Sequence, residues 1–363
     1  MKKYASVKYV DFNQYNRVIA VSDIHGDSDS FVGVLEKIGF SDSDALVIVG
    51  DILGKGSRSL ELLQMVVRCA KKGNLYMVKG NHDGVLNDWC DGRISDEDID
   101  SFISSGGSNI ITEMAAELKL ECKTLDDVMR IKETIKMVYG SEIRFLGELP
   151  HIIDSNIAVF VHAGIRPGLL SEQDCGYCLS AKAFADQEYQ FEKPVIVGHW
   201  PASNYSEDVI IANSYFNKKN HTISIDGGNS MKSWKQLNYL ILSGSGEMIE
   251  SGYYDCLPKV IALEEQEEST EHITLIFPKT RVEIKKKMED ESLCYIPYLN
   301  REMMIENGHI YFYKGNMYCW DFTTYYMRIS EGEVLSYCKD EKDCILVKRE
   351  GVVGKYAGKY RFV

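Results

Sequence analysis

Arg17-Val18-Ile19-Ala20-Val21-Ser22-Asp23-Ile24-His25-Gly26 decides the reading of this chain. A short β-branched run, Arg17 to Val21, is followed by a carboxylate and an imidazole two residues apart and then a glycine. Apolar runs this short, without polar alternation, read as strands buried on both faces. The pattern recurs. Ala45 to Val49 precedes Gly50-Asp51, and Leu75 to Val78 precedes Gly80-Asn81-His82-Asp83. Ala158 to Val161 precedes His162-Ala163-Gly164, and Val195 to Val197 precedes Gly198-His199. Helical patterns near 28–38 and 57–72, the second with Ser57 as N-cap, separate the first three strands. The result is a βαβαβ beginning and an α/β (α+β) fold class. In such sheets ligands gather at the carboxyl ends of strands, so motifs far apart in sequence converge.

The polar residues at those ends are two carboxylates, one amide and four imidazoles, a set suited to a pair of divalent cations rather than one structural zinc. A turn after the first strand presents Asp23 and His25 to one ion. Asp51 bridges both ions with its two oxygens, and Asn81, His162 and His199 complete the shell of the second ion. Two divalent cations outweigh two carboxylates, leaving positive charge for an anionic phosphate, and hydrolysis of a phosphate ester is the leading expectation. His82, adjacent to a ligand yet left over, is available to protonate the leaving oxygen. Each motif is weak singly, since a lone histidine at a strand end is more often a hydrogen-bonding residue. The ordered set carries the reading.

With 363 residues and 45% apolar content the chain can bury a sizeable core, divided among about two or three domains. A formal charge of −13 argues against a long phosphate backbone as partner, because nucleic-acid binding shows a basic footprint. No apolar run approaches a membrane span, and ten scattered cysteines lack the density of a secreted disulfide scaffold. The expected address is the cytoplasm. Cys175-Gly176-Tyr177-Cys178 has no second pair and reads as incidental.

Residues 85–149 break the strand rhythm and read as a mainly helical insertion, a cap over the site. Thr124-Leu125-Asp126-Asp127 reads there as a capping box with Asp in place of Glu. Strands resume at Thr222 to Ile225 and Leu237 to Leu242, flanking Asp226-Gly227-Gly228. The catalytic domain is expected over 1–255, with the acidic run Glu264 to Ser269 in a linker over 256–271. Tyr-, Ile- and Val-rich sequence with turn signals at Glu306-Asn307-Gly308, Lys314-Gly315-Asn316 and Glu350-Gly351 predicts a small β domain over 272–363.

The ordered motifs resemble those of the calcineurin-like metallophosphoesterases and, within them, the phosphoprotein phosphatase branch, over roughly residues 15 to 245. Gly106-Gly107, Glu148-Leu149-Pro150 and Asp226-Gly227-Gly228 are similar to weaker landmarks of bacterial members. The resemblance implies a central β-sandwich flanked by helices, one metal held by Asp23, His25 and Asp51, and a second held by Asp51, Asn81, His162 and His199. It also implies His82 as general acid. Residues 323–363 bear a fainter likeness to a bacterial SH3-like barrel, which implies a peptide or protein partner.

The chain leaves the family pattern at Gly54-Lys55-Gly56, where Asp-Arg-Gly is usual. The carboxylate that orients the histidine is absent, and lysine keeps the charge of arginine without its bidentate fork. Asp83 is a substitute candidate for the first role, and Lys55, Arg166 and Lys182 are the candidate phosphate-binding residues. Three readings follow. The first is a manganese-dependent protein serine/threonine phosphatase, with Fe, Zn, Ni or Mg as other metals. The second is a small-molecule phosphohydrolase such as a bis(5′-nucleosyl)-tetraphosphatase. The third is a degenerate metal-binding module.

Overall fold

A computed structural model describes residues 3–104 and 109–363; Gly106-Gly107 lies outside the described residues. The chain divides into two compact units, one of residues 1–202 and 213–256, the other of 203–212 and 257–363.

The first unit is a sandwich of two sheets. One sheet has the strand order Met248–Tyr254, Leu237–Ser243, Arg17–Val21, Asp44–Ile48, Leu75–Met77. The last three of these run parallel, and Leu237–Ser243 is antiparallel to Arg17–Val21. The other orders Val7–Val10, Ile152–Ser155, Val159–Val161, Val195–Val197, Thr222–Ser224 and Tyr215–Asn217. Side chains alternate across a strand, and that alternation explains the unbroken apolar runs. Val18, Ala20, Val47 and Leu240 pack against Ile153, Phe160, Ile196 and Ile223 between the sheets. Ile19, Val21, Leu46 and Ile48 face the helices with Phe31, Val34, Leu63 and Val66. Both faces of its central strands Arg17–Val21 and Asp44–Ile48 are therefore largely buried.

The helices start where local chemistry satisfies their orphan amides. Asp27 caps Ser28–Lys37 by accepting from the Ser30 amide. The capping box at Thr124 is present in full, with Asp127 reaching back to the Thr124 amide. Ser57 is not an N-cap: the second helix is Ser59–Ala70, preceded by Arg58, with no side-chain cap. The serine hydroxyl that matters is Ser59 Oγ, which accepts from the Gly54 amide at 3.2 Å.

Helices Val85–Cys90, Asp96–Ser104, Ile110–Glu117, Leu125–Val138 and Gly140–Glu148 fill most of 85–149. They do not form a cap with a core of its own. Trp89, Met114, Val128, Ile131 and Leu146 join the core of the Ser59–Ala70 helix, and Glu113 accepts from the Leu60 amide at 2.8 Å. The insertion thickens the helical layer because its apolar faces have that layer to pack against.

The strand pairs of the second unit are antiparallel. A six-stranded sheet orders Tyr360–Phe362, Lys259–Ala262, Val334–Asp340, Ile345–Arg349, Val352–Tyr356 and Ile210–Ile211, and a five-stranded sheet is built from residues 281–319. Lys314-Gly315 and Glu350-Gly351 are two-residue hairpin turns with both φ values positive, as strand twist favours. Two expected boundaries need correction. The linker placed at 256–271 contains the strand Lys259–Ala262, and Gln266 donates to the carbonyls of Met327 and Lys355. Acidic composition marks an exposed edge there, not a tether. Residues 203–212 also leave the first unit, because Ile210–Ile211 pairs with Val352–Val353.

Candidate metal centre

Every strand end singled out in the sequence opens on the same region of the first unit. Asp23, His25, Asp51 and His199 all adopt left-handed backbone, with φ of 53°, 51°, 55° and 66°. Asp and His tolerate that region better than most residues, and such outliers persist where surroundings over-determine them. Here the bracing is backbone to backbone. The Asp23 amide donates to Gly50 O, His25 to Asp51 O and Gly26 to Ile52 O, at 3.1, 3.0 and 2.8 Å.

Close approach demands glycine at several points, Gly80 and Gly198 among them. Gly80 passes against the Asp51 backbone, where a Cβ would meet Asp51 Cγ at 2.8 Å. Gly198 lies against Ser22 and Asp23, and a Cβ there would stand 3.0 Å from Ser22 Cβ.

The side chains converge in two overlapping groups. Asp23, His25 and Asp51 each offer a ligand atom within 4.8 Å of the others. His162 Nε2 lies 3.4 Å from Asp51 Oδ2 and 3.0 Å from Asn81 Oδ1, and the His199 ring centroid is 5.1 Å from that of His162. Asp51 belongs to both groups. Two imidazoles are oriented by carbonyls: His25 Nδ1 sits 3.0 Å from Leu53 O, and His162 Nδ1 3.0 Å from Val49 O. A proton on Nδ1 donated to each carbonyl leaves Nε2 free to ligate, the usual outer support of a metal-binding histidine.

Asp83 is fully buried and accepts from four backbone amides: Asp51 and Gly80 at 2.8 and 2.9 Å on Oδ2, Ile52 and Leu53 at 3.0 and 3.3 Å on Oδ1. It ties the Gly50-Asp51 turn to the Gly80-Asn81 turn. Both oxygens are occupied, so Asp83 does not orient His82 as the sequence had suggested. Among the described residues nothing hydrogen-bonds the His82 ring. Gly54 stands beside it: a Cβ at Gly54 would come within 2.9 Å of His82 Nδ1.

Charge explains why the cluster suits cations. Asp23, Asp51, Asp83 and Asp226 are each no more than 2% exposed. Burial, then repulsion from Asp226, raises the Asp23 carboxyl well above its ordinary value. Burial also acts upward on Asp51, but the His162, His25 and His82 imidazoles more than offset it and hold Asp51 below the ordinary carboxylate range. Burial lowers His25 and His199 to about 4, leaving them neutral near pH 7. Burial likewise lowers His82. Burial acts downward on His162 too, but Asp51 and then Asp23 more than offset it and raise His162 to about 10. Carboxylates crowded in a dry pocket with imidazoles form a donor set that fits divalent cations.

The candidate phosphate contacts separate. Lys55, exposed and left-handed at φ 66°, lies close enough for its charge to act on both His25 and His82. Arg166 is placed by other contacts. Its guanidinium stacks on Tyr177 at 4.1 Å and lines a groove of about 200 Å³ with Pro167, Leu169, Glu172 and Asp174. Lys182 is exposed on the loop after the helix Cys175–Ser180, where its carbonyl accepts from Gln187. The sequence reading missed a role for Asp226 in this pocket. Its position directly after a strand was the available signal.

Fold and site together define a two-sheet α/β protein with a carboxylate–imidazole cluster at the carboxyl ends of its strands. Residues 16–221 match the calcineurin-like phosphoesterase family, and the chain belongs to that family. Among curated proteins, it is 26% identical over 155 residues to an asymmetrical bis(5′-nucleosyl)-tetraphosphatase of Halalkalibacterium halodurans, covering 40% of this chain and 56% of the relative. It is 42% identical over 65 residues to the symmetrical enzyme of Neisseria gonorrhoeae, covering 18% of this chain and 23% of the relative. The chain thus spans about half or less of the length of these relatives. A crystal structure provisionally named a diadenosine tetraphosphatase matches with 21% identity and a TM-score of 0.47, covering 70% of this chain and all of that one.

Proposed function

We propose that the protein is a hydrolase of phosphoric ester bonds that works with two divalent cations, manganese first among them. The observation that carries the proposal is the convergence of Asp23, His25, Asp51, Asn81, His162 and His199 in one pocket, with Asp51 common to both groups. Bound there, the cations would supply positive charge to the phosphate oxygens and acidify the attacking water.

The chain's own residues do the rest. His82, whose backbone amide donates to Asp51 Oδ1 at 2.8 Å, is held at the rim of the pocket. Its ring donates a proton to the leaving oxygen as general acid. Lys55 pairs with the phosphate as a point charge. With Gly54 beside it, His82 depends on packing against the His25 ring, 5.2 Å away and edge-on, for its orientation.

On substrate, the names of the curated relatives support a dinucleoside polyphosphate. The phosphoserine/phosphothreonine reading rests on the resemblance to the phosphoprotein phosphatase branch and on the appended β unit, which we assign to recruiting a peptide or protein partner. A negatively charged chain supports neither nucleic acid nor a membrane surface as partner. Among the described residues no helix is long and apolar enough to cross a membrane. Ten free cysteines support a cytoplasmic location.

A panel of p-nitrophenyl phosphate, phosphopeptides and diadenosine tetraphosphate, assayed with Mn²⁺, tests the proposal. Release of nucleotides from the tetraphosphate at the highest kcat/KM supports the small-molecule reading, and preference for phosphopeptides reverses it. No turnover of any of the three defeats the enzyme reading and leaves a binding module.

A further inference from the structure

Asp226 follows the strand Thr222–Ser224 in the way Asp23 follows Arg17–Val21, yet none of its contacts explains its burial. Oδ1 accepts from the Gly228 amide at 2.7 Å and so closes a tight turn. Oδ2 has no hydrogen-bond partner among the described residues, although the residue is only 1% exposed. The loop cannot swing outward to hydrate it. The Asp226 carbonyl accepts from the Ala202 amide at 2.7 Å, Asn229 Nδ2 donates to Ile24 O at 3.0 Å, and Gly228 pairs with Gln236. The bond to Ile24 fastens the loop to the residue between Asp23 and His25.

A bare carboxylate oxygen in a dry pocket is unfavourable unless something complements it. Charges of both signs surround it: Asp226 acts on Asp23 more strongly than either His162 or Asp51 does, while on Asp226 itself the His162 imidazole acts more strongly than Asp51. Lys232 is also within electrostatic reach of Asp226, but its influence is smaller than those of His162 and Asp51. Turn formation needs only Oδ1, and an asparagine would serve it as well. The second oxygen and the negative charge are therefore surplus to the fold.

We propose that Asp226 is a positioning residue of the metal centre, whose free oxygen and charge favour the cation held on the Asp23 and His25 side without ligating it. The proposal rests on the metal-centre reading above. Outer carboxylates of this kind typically change metal affinity about 10- to 100-fold when removed.

The test uses full-length, metal-free protein titrated with Mn²⁺ by calorimetry, with thermal unfolding measured in the absence of metal. Asp226→Asn keeps an acceptor for the Gly228 amide and removes the charge. The expected result is Mn²⁺ affinity lowered about 10- to 100-fold, with a metal-free Tm equal to or above that of the wild type, because a like-charge repulsion has been relieved. Asp226→Ala, which also strips the turn of its acceptor, should lower both. Affinity for the Asn variant within about twofold of wild type overturns the proposal while leaving the metal-centre reading intact. A metal-free Tm clearly below wild type for Asp226→Asn also overturns it, since the residue would then be serving the turn. Wild type that takes up no Mn²⁺ removes both readings.

Discussion

Gly50→Ala should disable the pocket through a single methyl group. Gly50 has φ +85°, and a Cβ there would stand 2.6 Å from His162 Nδ1, 2.8 Å from Gly80 Cα and 2.9 Å from Gly80 N. Two costs follow. Left-handed backbone costs an L-residue about 1–2 kcal/mol, and forcing an extra methyl into a packed interior costs about 1–3 kcal/mol. The sum is about 2–5 kcal/mol.

The steric part falls on function as well. The 2.6 Å approach is 0.8 Å short of the 3.4 Å at which ordinary contact begins, so the imidazole or the Gly80 turn must move by most of that difference. His162 is fixed by its hydrogen bond to Val49 O at 3.0 Å, and Gly80 by the hydrogen bond its amide donates to Asp83 Oδ2 at 2.9 Å. Misplacement on the order of 1 Å costs about 100-fold in rate. The natural control is Gly73→Ala, with φ +89° and nothing within 4 Å of a Cβ. It incurs the backbone cost only, about 1–2 kcal/mol.

Urea unfolding of both variants, Mn²⁺ titration and p-nitrophenyl phosphate turnover separate the two costs. Gly50→Ala should lose more stability than Gly73→Ala and should lose metal affinity and turnover, which Gly73→Ala retains. Equal losses of stability, or wild-type Mn²⁺ affinity in Gly50→Ala, would refute the packing argument.

Other expectations concern single groups. His82→Asn should lower kcat about 10²- to 10⁴-fold, the usual worth of a general acid, with Mn²⁺ affinity within a few-fold of wild type; unchanged turnover would show that another group protonates the leaving oxygen. Lys55→Ala should raise KM and Lys55→Arg should lower it, whereas Arg166→Ala should leave KM unchanged because its guanidinium stacks on Tyr177; steady-state kinetics of the three variants decides between the cations. Asp44 is buried, which raises its pKa, but bonds from Arg17 and Ser41 more than offset this and hold it below its ordinary value. A lowered folded pKa contributes stability above the unfolded value and loses it as pH falls through the folded one. Asp44→Asn should therefore cost about 1.5–3 kcal/mol near pH 7, with the gap to wild type closing below about pH 4 in urea titrations; a gap independent of pH would assign the loss to packing.

The motif residues were legible because each follows a strand, and strands buried on both faces announce themselves as short unbroken apolar runs. Asp23, His25 and Asp51 could be grouped from spacing and chemistry, since ligand preferences belong to residue types. Asp83 was harder to read. A carboxylate beside His82 suggests an orienting partner in one dimension, but its oxygens are consumed by amides from two separate turns. Arg166, four residues after His162, was expected at the phosphate for its sequence position. The backbone carries it into a groove with Pro167, Leu169 and Tyr177, a placement its position in the sequence did not reveal. The acidic run at 264–268 misled for a related reason, because exposure on an edge and freedom in a linker leave the same composition.

The sequence by itself determined the layers, the order of the strands' polar ends and the donor chemistry, because periodicity and ligand type are local properties. Tertiary structure decided that Arg166 stacks on Tyr177, which unit claims residues 203–212, and that Asp226 is buried with an unsatisfied oxygen. Those outcomes depend on how turns from distant strands meet, and no local pattern encodes the direction in which a loop carries its side chain.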